Sequence, residues 1–262
     1  ETDFVARNEE FRSLAREIAA VVAGNDLSTA EEVKMYMEIQ GHGVDAVKEF
    51  MGTFQQNILA NTTFPVCVLS HMYDEKRSKF IVQLVAEAEI KGLDREYYIF
   101  TYDDQKDLYD QFSEIKGINV VYIPSDNPVN LTLSGKRQYI LEWNQERDND
   151  HAFFIEDDCF SFVLPVGKFG KTGSFRNDKF FISFSFAFSF WEFLVKSEGL
   201  QYSGPVNNME FTFRDLTVSP FIKHLAQTVQ AVHIGTKFCK EKNIVRMEDF
   251  VNNSESFLKT KA

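Results

Sequence analysis

The sequence predicts an α/β protein with a mostly parallel central sheet flanked by helices and an N-terminal helical appendage. Short apolar runs rich in β-branched and aromatic residues alternate with helical patterns from residue 65 to residue 158. Polar residues follow each run, as they do at the carboxyl ends of parallel strands. The 262 residues suffice for one large domain with an appendage, so we divide the chain into a helical segment, residues 1–59, and an α/β domain, residues 60–262.

The composition limits the possible functions. A net charge of -11 argues against a surface that is basic overall, so any nucleic-acid contact would be confined to a local patch. Cys67, Cys159 and Cys239 are widely separated and lack metal-binding spacing, which indicates buried free thiols in a reducing compartment. The chain shows no charged-then-apolar leader and no apolar run long enough to span a bilayer, so we expect a cytoplasmic protein without membrane contact.

The N-terminal segment has a helical pattern. Apolar residues recur at helical spacing from Phe11 to Val22, and Gly24 supplies a stop signal. A further helix is expected to begin near Ser28 or Thr29, and another to cover residues 44–59.

Residues 2–8 read Thr-Asp-Phe-Val-Ala-Arg-Asn, a motif that closely resembles the elongation factor Ts family. In that family the Asp and Phe of the motif, here Asp3 and Phe4, reach into a partner GTPase and help to displace its nucleotide. The resemblance, which we see over residues 1–24, therefore implies contact with an elongation factor GTPase. We favour the interpretation that the segment is a fused or captured fragment that serves solubility or docking, because a short helix lifted from its domain rarely buries its own apolar face. The alternative is that the segment is all that links the chain to translation.

The elements of the α/β domain follow in a regular order. The predicted strands cover residues 64–70, 96–102, 118–124 and 151–156, and the predicted helices cover residues 80–91 and 105–112 and a segment that starts near Ser134. Because the strands alternate with helices, we expect a parallel sheet covered on both faces. The polar residues after Ser70, Tyr102 and Ile155 would then meet at one edge of the sheet.

The fourth predicted strand ends in three carboxylates, Glu156, Asp157 and Asp158. Along a strand, Glu156 and Asp158 point to one side and Asp157 to the other, so the first two can share one hard cation such as Mg²⁺ or Mn²⁺. The cation would compensate carboxylates at the edge of a buried strand. A solvated acidic turn after a core strand is the alternative.

The order of these motifs resembles the nucleotide-sugar-binding half of GT-A glycosyltransferases, in which a short Asp-x-Asp-like motif ends a strand. More narrowly, residues 65–70, residues 98–103, residues 134–141 and residues 154–158 look like the TET-associated glycosyltransferase family. Members of that family, many from phages, are thought to sugar-modify hydroxymethylated DNA bases. The likeness covers residues 64–160 well and the rest weakly, and Cys159 replaces the aliphatic residue of the family pattern.

This resemblance implies a metal site. Glu156 and Asp158 would hold the ion, and Asp157 would contact the ribose or the cation. His233 lies on a predicted strand over residues 229–234 and would be a third ligand. A histidine on an apolar strand is otherwise a satisfied core residue, and that alternative stays open.

The resemblance also implies a donor site. Arg137 and Lys136 would face the diphosphate at a helix start, where backbone N–H groups add affinity for anions. Ser70 and Asp103 would line the nucleoside pocket, and Gly204 lies in a segment that resembles the glycine turn near the donor sugar. The alternative for Lys136 and Arg137 is a solvated basic pair, and for Asp103 a surface carboxylate after a strand.

Two further segments complete the prediction. Residues 165–179 are Gly-rich and locally basic, so Lys168, Lys171 and Arg176 would contact a polyanionic acceptor, unless the segment is a flexible surface loop. Residues 246–250 look like the late Glu-Asp motif of the superfamily, in which a carboxylate acts as base towards the acceptor hydroxyl. Asp249, with Glu248 beside it, is our candidate. Glu210 and Asp215 are the competing carboxylates for that role.

The phenylalanine-rich segment before residue 200 carries two patterns. Alternate phenylalanines at residues 184–190 indicate a strand, whereas the spacing from Phe180 to Val195 indicates a helix. We favour a helix from about Asn177 to Lys196, capped by Asn177 or Asp178, with its aromatic residues in the core.

The resemblance, together with these patterns, implies a metal-dependent glycosyltransferase. It would move a sugar from a nucleoside diphosphate donor, with uridine as the expected nucleoside, to a hydroxyl of a modified DNA base. Because the net charge tells against DNA, a protein or small-molecule acceptor stays open. The rival from another class is a non-catalytic module that binds an elongation factor GTPase.

Overall fold

The computed structural model describes residues 64–159, 162–165, 179–204 and 231–241, and these form an α/β fold. The strands are β1 Val66–Leu69, β2 Tyr97–Tyr102, β3 Ile118–Ile123, β4 Ala152–Glu156, β5 Phe162–Pro165, β6 Lys179–Ile182, β7 Tyr202–Ser203 and β8 Ala231–Ile234. The main sheet has six strands in the order β3-β2-β1-β4-β8-β7, and β5 and β6 form a separate pair. The first four run parallel, β8 is antiparallel to β4, and β7 is antiparallel to β8. The predicted mostly parallel sheet is therefore confirmed.

Five α-helices accompany the strands in the described part of the chain. They are α1 Lys79–Lys91, α2 Lys106–Tyr109, α3 Leu133–Glu146, α4 Phe184–Glu198 and α5 Thr236–Glu241. The predicted second helix is shorter than expected, because 3₁₀ turns at Asp103–Gln105 and Asp110–Glu114 flank α2. α1 ends before Gly92, whose φ of 76° is readily adopted only by glycine. The predicted N-terminal helices lie outside the described residues.

Side chains from alternate strand positions enter two apolar clusters on opposite faces of the sheet. Val68, Ile99 and Ile155 pack with Phe80 of α1 and Phe188 of α4 in one cluster, which we call the α1 face. Leu69, Phe100 and Phe154 pack with Ile140 and Leu141 of α3 in the other cluster, which we call the α3 face. Since both faces are covered, the strands are apolar at nearly every position.

The phenylalanine-rich segment differs from the prediction at its start. β6 occupies Lys179–Ile182, and α4 begins only after Ser183, whose side chain accepts a hydrogen bond from the Phe186 amide at 3.0 Å. The predicted caps at Asn177 and Asp178 are therefore wrong, because Ser183, five or six residues later, caps the first turn. The helical interpretation itself is confirmed, since Phe184, Phe188, Trp191 and Val195 all meet the α1-face cluster.

Two other expectations can be compared with the described residues. All three cysteines are free and buried, as predicted. Within the ranges that the structure describes, no helix has the length and apolar character needed to cross a membrane.

Candidate functional site

The acidic residues lie where β4 ends, beside the carboxyl end of β1. Glu156 is the last residue of β4 and pairs in register with Leu69, and Asp157 and Asp158 form the turn that follows. Glu156 extends to the α3 face and Asp157 to the α1 face, as shown by their partners below. The prediction that these two neighbouring carboxylates point to opposite sides is therefore confirmed.

Glu156 forms an ion pair with Arg137 of α3. Arg137 Nη2 donates to Glu156 Oε1 at 2.6 Å, and both side chains are about one-fifth exposed. Burial raises the pKa of Glu156, and the Arg137 guanidinium opposes that shift. The carboxylate is thus partly desolvated, and Arg137 supplies part of the positive charge that its ionised form needs.

Asp157 is held among three elements on the α1 face. Its carboxylate accepts hydrogen bonds from the hydroxyls of Ser70, which follows β1, and of Ser78, which precedes α1. Its backbone N–H donates to Leu69 O at 3.1 Å, and its carbonyl accepts from the Phe80 amide at 2.9 Å. Burial raises the pKa of Asp157, while the two seryl hydroxyls lower it. Asp157 therefore joins β1, β4 and α1, and a contact with ribose or cation would compete with these serines.

Lys136 does not lie at the surface. Its Nζ donates to the main-chain carbonyl of Ser70 and lies 4.1 Å from the centroid of the Tyr102 ring. The side chain is buried, and burial lowers its pKa to about 8, although the Asp157 charge opposes the shift. The alternative of a solvated basic pair is wrong for Lys136, because the amine faces a backbone carbonyl and an aromatic ring.

The two predicted nucleoside-binding residues have different surroundings. Ser70 is fully buried, and its hydroxyl contacts Tyr109 Oη at 2.6 Å in addition to Asp157. Asp103 is exposed at the end of β2 and accepts hydrogen bonds from the Ser125 amide at 3.1 Å and the Ser125 hydroxyl at 2.5 Å. These bonds lower the pKa of Asp103. Ser70 is thus a buried residue that holds Asp157 in place, whereas Asp103 connects the turn after β2 to the turn after β3.

His233 is separated from the acidic residues. It pairs in register with Phe153, three residues before Glu156 and so about 10 Å away along β4. Its imidazole lies on the α1 face, where Nε2 contacts His151 Nδ1 at 3.0 Å and Nδ1 contacts Ser203 Oγ at 3.2 Å. His233 is therefore not a ligand of a cation held by Glu156, and its interpretation as a satisfied core residue is confirmed.

The remaining predicted site residues are placed only in part. Gly204 directly follows β7. The predicted base Asp249 with Glu248, its competitors Glu210 and Asp215, and the acceptor residues Lys168, Lys171 and Arg176 lie outside the described residues.

The site has the donor atoms that a hard divalent cation prefers. Among the described side chains, no three or more His, Cys, Asp or Glu residues are grouped as a ready cation site. Glu156 at the end of β4 and Asp158 in the turn after it are two residues apart, and both offer carboxylate oxygens, which suit Mg²⁺ or Mn²⁺.

Three supporting residues were not identified from the sequence. Ser78 carried a usable signal, since a serine directly before an apolar helical stripe is typical of a helix start. Tyr109 and Tyr102 carried none, because they contact Ser70 and Lys136 only through the packing of distant segments.

The fold and the site define an α/β protein with a cluster of carboxylates and basic side chains at the carboxyl edge of its central strands. The family model for elongation factor TS matches residues 1–85. The predicted N-terminal resemblance is therefore confirmed, and the match extends past residue 24 through β1 and into α1. No curated protein and no solved structure gives a match to this chain.

Proposed function

We propose that the α/β domain is a metal-dependent glycosyltransferase with a GT-A-like fold. It transfers a sugar from a nucleoside diphosphate donor, with uridine as the expected nucleoside, to a hydroxyl group of an acceptor. The observation that supports this proposal is the ion pair of Glu156 and Arg137 beside Asp158 at the carboxyl ends of β1 and β4. Open α/β sheets bind nucleotides at this edge.

The metal site of the proposal uses two of the three acidic residues. Glu156 and Asp158 would hold Mn²⁺ or Mg²⁺, and the ion would neutralise the charge that develops on the diphosphate leaving group. Asp157 has a different role, because its carboxylate is engaged with Ser70 and Ser78. It keeps the turn after β4 attached to β1 and α1, and so orients its two neighbours.

Arg137 connects the acidic residues with the donor. A guanidinium carries five N–H donors in a rigid fork, so one side chain can hold Glu156 and also a phosphate oxygen. Lys136 supports the same edge from inside by binding the Ser70 carbonyl. Asp249, with Glu248 beside it, is the proposed base that takes the proton of the acceptor hydroxyl.

The acceptor follows less directly from these residues. The likeness to TET-associated glycosyltransferases favours a hydroxymethylated DNA base, which Lys168, Lys171 and Arg176 would contact. The acidic net charge favours a protein or small molecule instead.

Hydrolysis of nucleotide sugars in the presence of Mn²⁺ tests the catalytic proposal. We expect Glu156→Gln and Asp158→Asn to lower the hydrolysis rate on the order of 100-fold, because each removes charge that stabilises the leaving diphosphate. Glu146→Gln, at the exposed end of α3, is the matched control and should keep the wild-type rate. Equal rates for wild type and Asp158→Ala on every donor would exclude the proposal.

The elongation factor TS match favours a second function for the N-terminal segment, namely docking to an elongation factor GTPase. Asp3 and Phe4 are the contact residues that the family motif proposes. A pull-down with the purified GTPase should lose its signal for the double variant Asp3→Ala, Phe4→Ala. Retention of the GTPase by a variant that lacks residues 1–30 would rule this function out.

A further inference from the structure

An exposed apolar ridge lies beside the candidate site. Residues 129–133, between β3 and the first turn of α3, present Val129, Leu131 and Leu133 with 65%, 53% and 54% of their surfaces exposed. We call these five residues the apolar ridge. Exposed apolar side chains that lie close together indicate a surface for binding another molecule.

Hydrogen bonds fix the backbone of the ridge, so its apolar side chains have defined positions at the surface. The Thr132 amide and hydroxyl both donate to Val129 O, at 3.2 Å and 2.8 Å, and the same hydroxyl accepts from the Gly135 amide at 2.9 Å. Asn130 Nδ2 donates to Pro124 O at 3.0 Å. A Cβ atom at Gly135 would lie 1.8 Å from Val129 O, so the ridge packs directly on the start of α3.

The ridge stands next to the residues of the candidate site. Leu133 is three and four positions before Lys136 and Arg137 on α3, so these side chains share one helical face. Tyr102, whose ring covers Lys136, donates through its hydroxyl to Asn130 O at 2.8 Å. A molecule bound on the ridge would therefore reach the carboxyl edge of β1 and β2.

The charges around the ridge are acidic. Asp103, Asp104 and Asp126 are exposed on the turns that adjoin it, and the hydrogen bonds from Ser125 favour the ionised form of Asp103. Lys106 is exposed just after Asp103 and Asp104, but the exposed Asp107 adjoins it, so the surface keeps a net negative charge. Of the other nearby cations, Lys136 is buried and Arg137 is paired with Glu156. Lys76 and Arg77 also follow β1, but they lead into α1 on the opposite face of the sheet.

We propose that the apolar ridge docks a polypeptide acceptor whose segment combines apolar and basic side chains with the hydroxyl that receives the sugar. This proposal rests on the proposed glycosyltransferase function and names its acceptor class. Apolar residues of the segment cover the ridge, and its basic residues face the aspartates, which gives electrostatic complementarity. A nucleic acid would bring its phosphates to the same aspartates and be repelled.

Direct binding to labelled probes tests the ridge without any need for catalysis. The probes are a peptide of leucine, lysine and serine, the same peptide with glutamate in place of lysine, and a single-stranded DNA oligonucleotide. Fluorescence anisotropy should show binding of the basic peptide only. The triple variant Val129→Ser, Leu131→Ser, Leu133→Ser should weaken it about ten-fold or more.

A matched control separates the ridge from exposed apolar surface in general. Ile90→Ser with Leu108→Ser removes two exposed apolar side chains elsewhere and should leave the affinity unchanged. Equal loss in both variants, or equal affinity for the basic and acidic peptides, would overturn the proposal. Binding of the oligonucleotide that depends on the ridge would overturn it in favour of a nucleic-acid acceptor.

Donor hydrolysis by the same proteins distinguishes the two proposals. If wild type hydrolyses no donor while the basic peptide still binds through the ridge, the catalytic proposal fails and the docking surface stands. If wild type hydrolyses a donor and the peptide does not bind, the docking surface fails and the catalytic proposal stands.

Discussion

The buried amine of Lys136 should make the stability of the fold depend on pH in the alkaline range. Burial lowers its pKa from 10.5 to about 8, whereas the unfolded chain keeps the ordinary value. Between these two pH values the unfolded state binds more protons than the folded state, so the free energy of unfolding rises with pH. The pKa difference lowers the free energy of unfolding by about 3 kcal/mol at low pH, and most of this loss is recovered between about pH 7 and about pH 10.

Urea unfolding at these two pH values, followed by the fluorescence of Trp143 and Trp191, measures the effect. Lys136→Met removes the titrating amine and keeps an apolar side chain of similar length. We expect the wild-type free energy of unfolding to rise by about 2–3 kcal/mol more than that of the variant. Lys116→Met, at an exposed lysine, should follow the wild type. If Lys136→Met shows the same pH dependence as the wild type, the amine is not desolvated and the reasoning is wrong.

Three further predictions follow from the described contacts. Asp157→Ala leaves the hydroxyls of two buried serines without their carboxylate acceptor and should lower the free energy of unfolding, measured in urea, by about 2–4 kcal/mol. Asp158 is exposed, so Asp158→Ala should change this free energy little. Burial lowers the pKa of His233, so below pH 6.5 the unfolded state binds more protons than the folded state and the free energy of unfolding falls as the pH is lowered. In thermal unfolding, the melting temperature of His233→Gln should therefore fall less with acid than that of the wild type. An identical fall would contradict this prediction. Gly135→Ala places a Cβ atom 1.8 Å from Val129 O, so it should lower both the melting temperature and the affinity for the basic peptide. If neither value changes, the ridge does not pack on α3 as described.

The experiments on the site and on the ridge address different parts of the protein. The acidic variants change the charge at the end of β4, and the serine variants change apolar surface before α3.

Much of the α/β fold could be predicted from local patterns. The four apolar runs between residues 64 and 156 became the parallel strands β1 to β4, since each run is apolar at nearly every position. The opposite directions of Glu156 and Asp157 also followed, because alternation along a strand is a property of the backbone. The start of α4 did not follow, since Asn177, Asp178 and Ser183 are all acceptable caps and only the pairing of β5 with β6 excludes the first two.

The sequence by itself determined the first four strands and the alternation of strands with helices, and it indicated that carboxylates and basic residues gather at one edge of the sheet. Only the tertiary structure decided what these side chains do there. Asp157 finds its partners in Ser70 and Ser78, and Lys136 is buried against Ser70 and Tyr102. The antiparallel register of β8 places His233 at the far end of β4. Burial and strand register depend on residues distant in the chain, and the protonation and hydrogen bonding of a side chain depend on both.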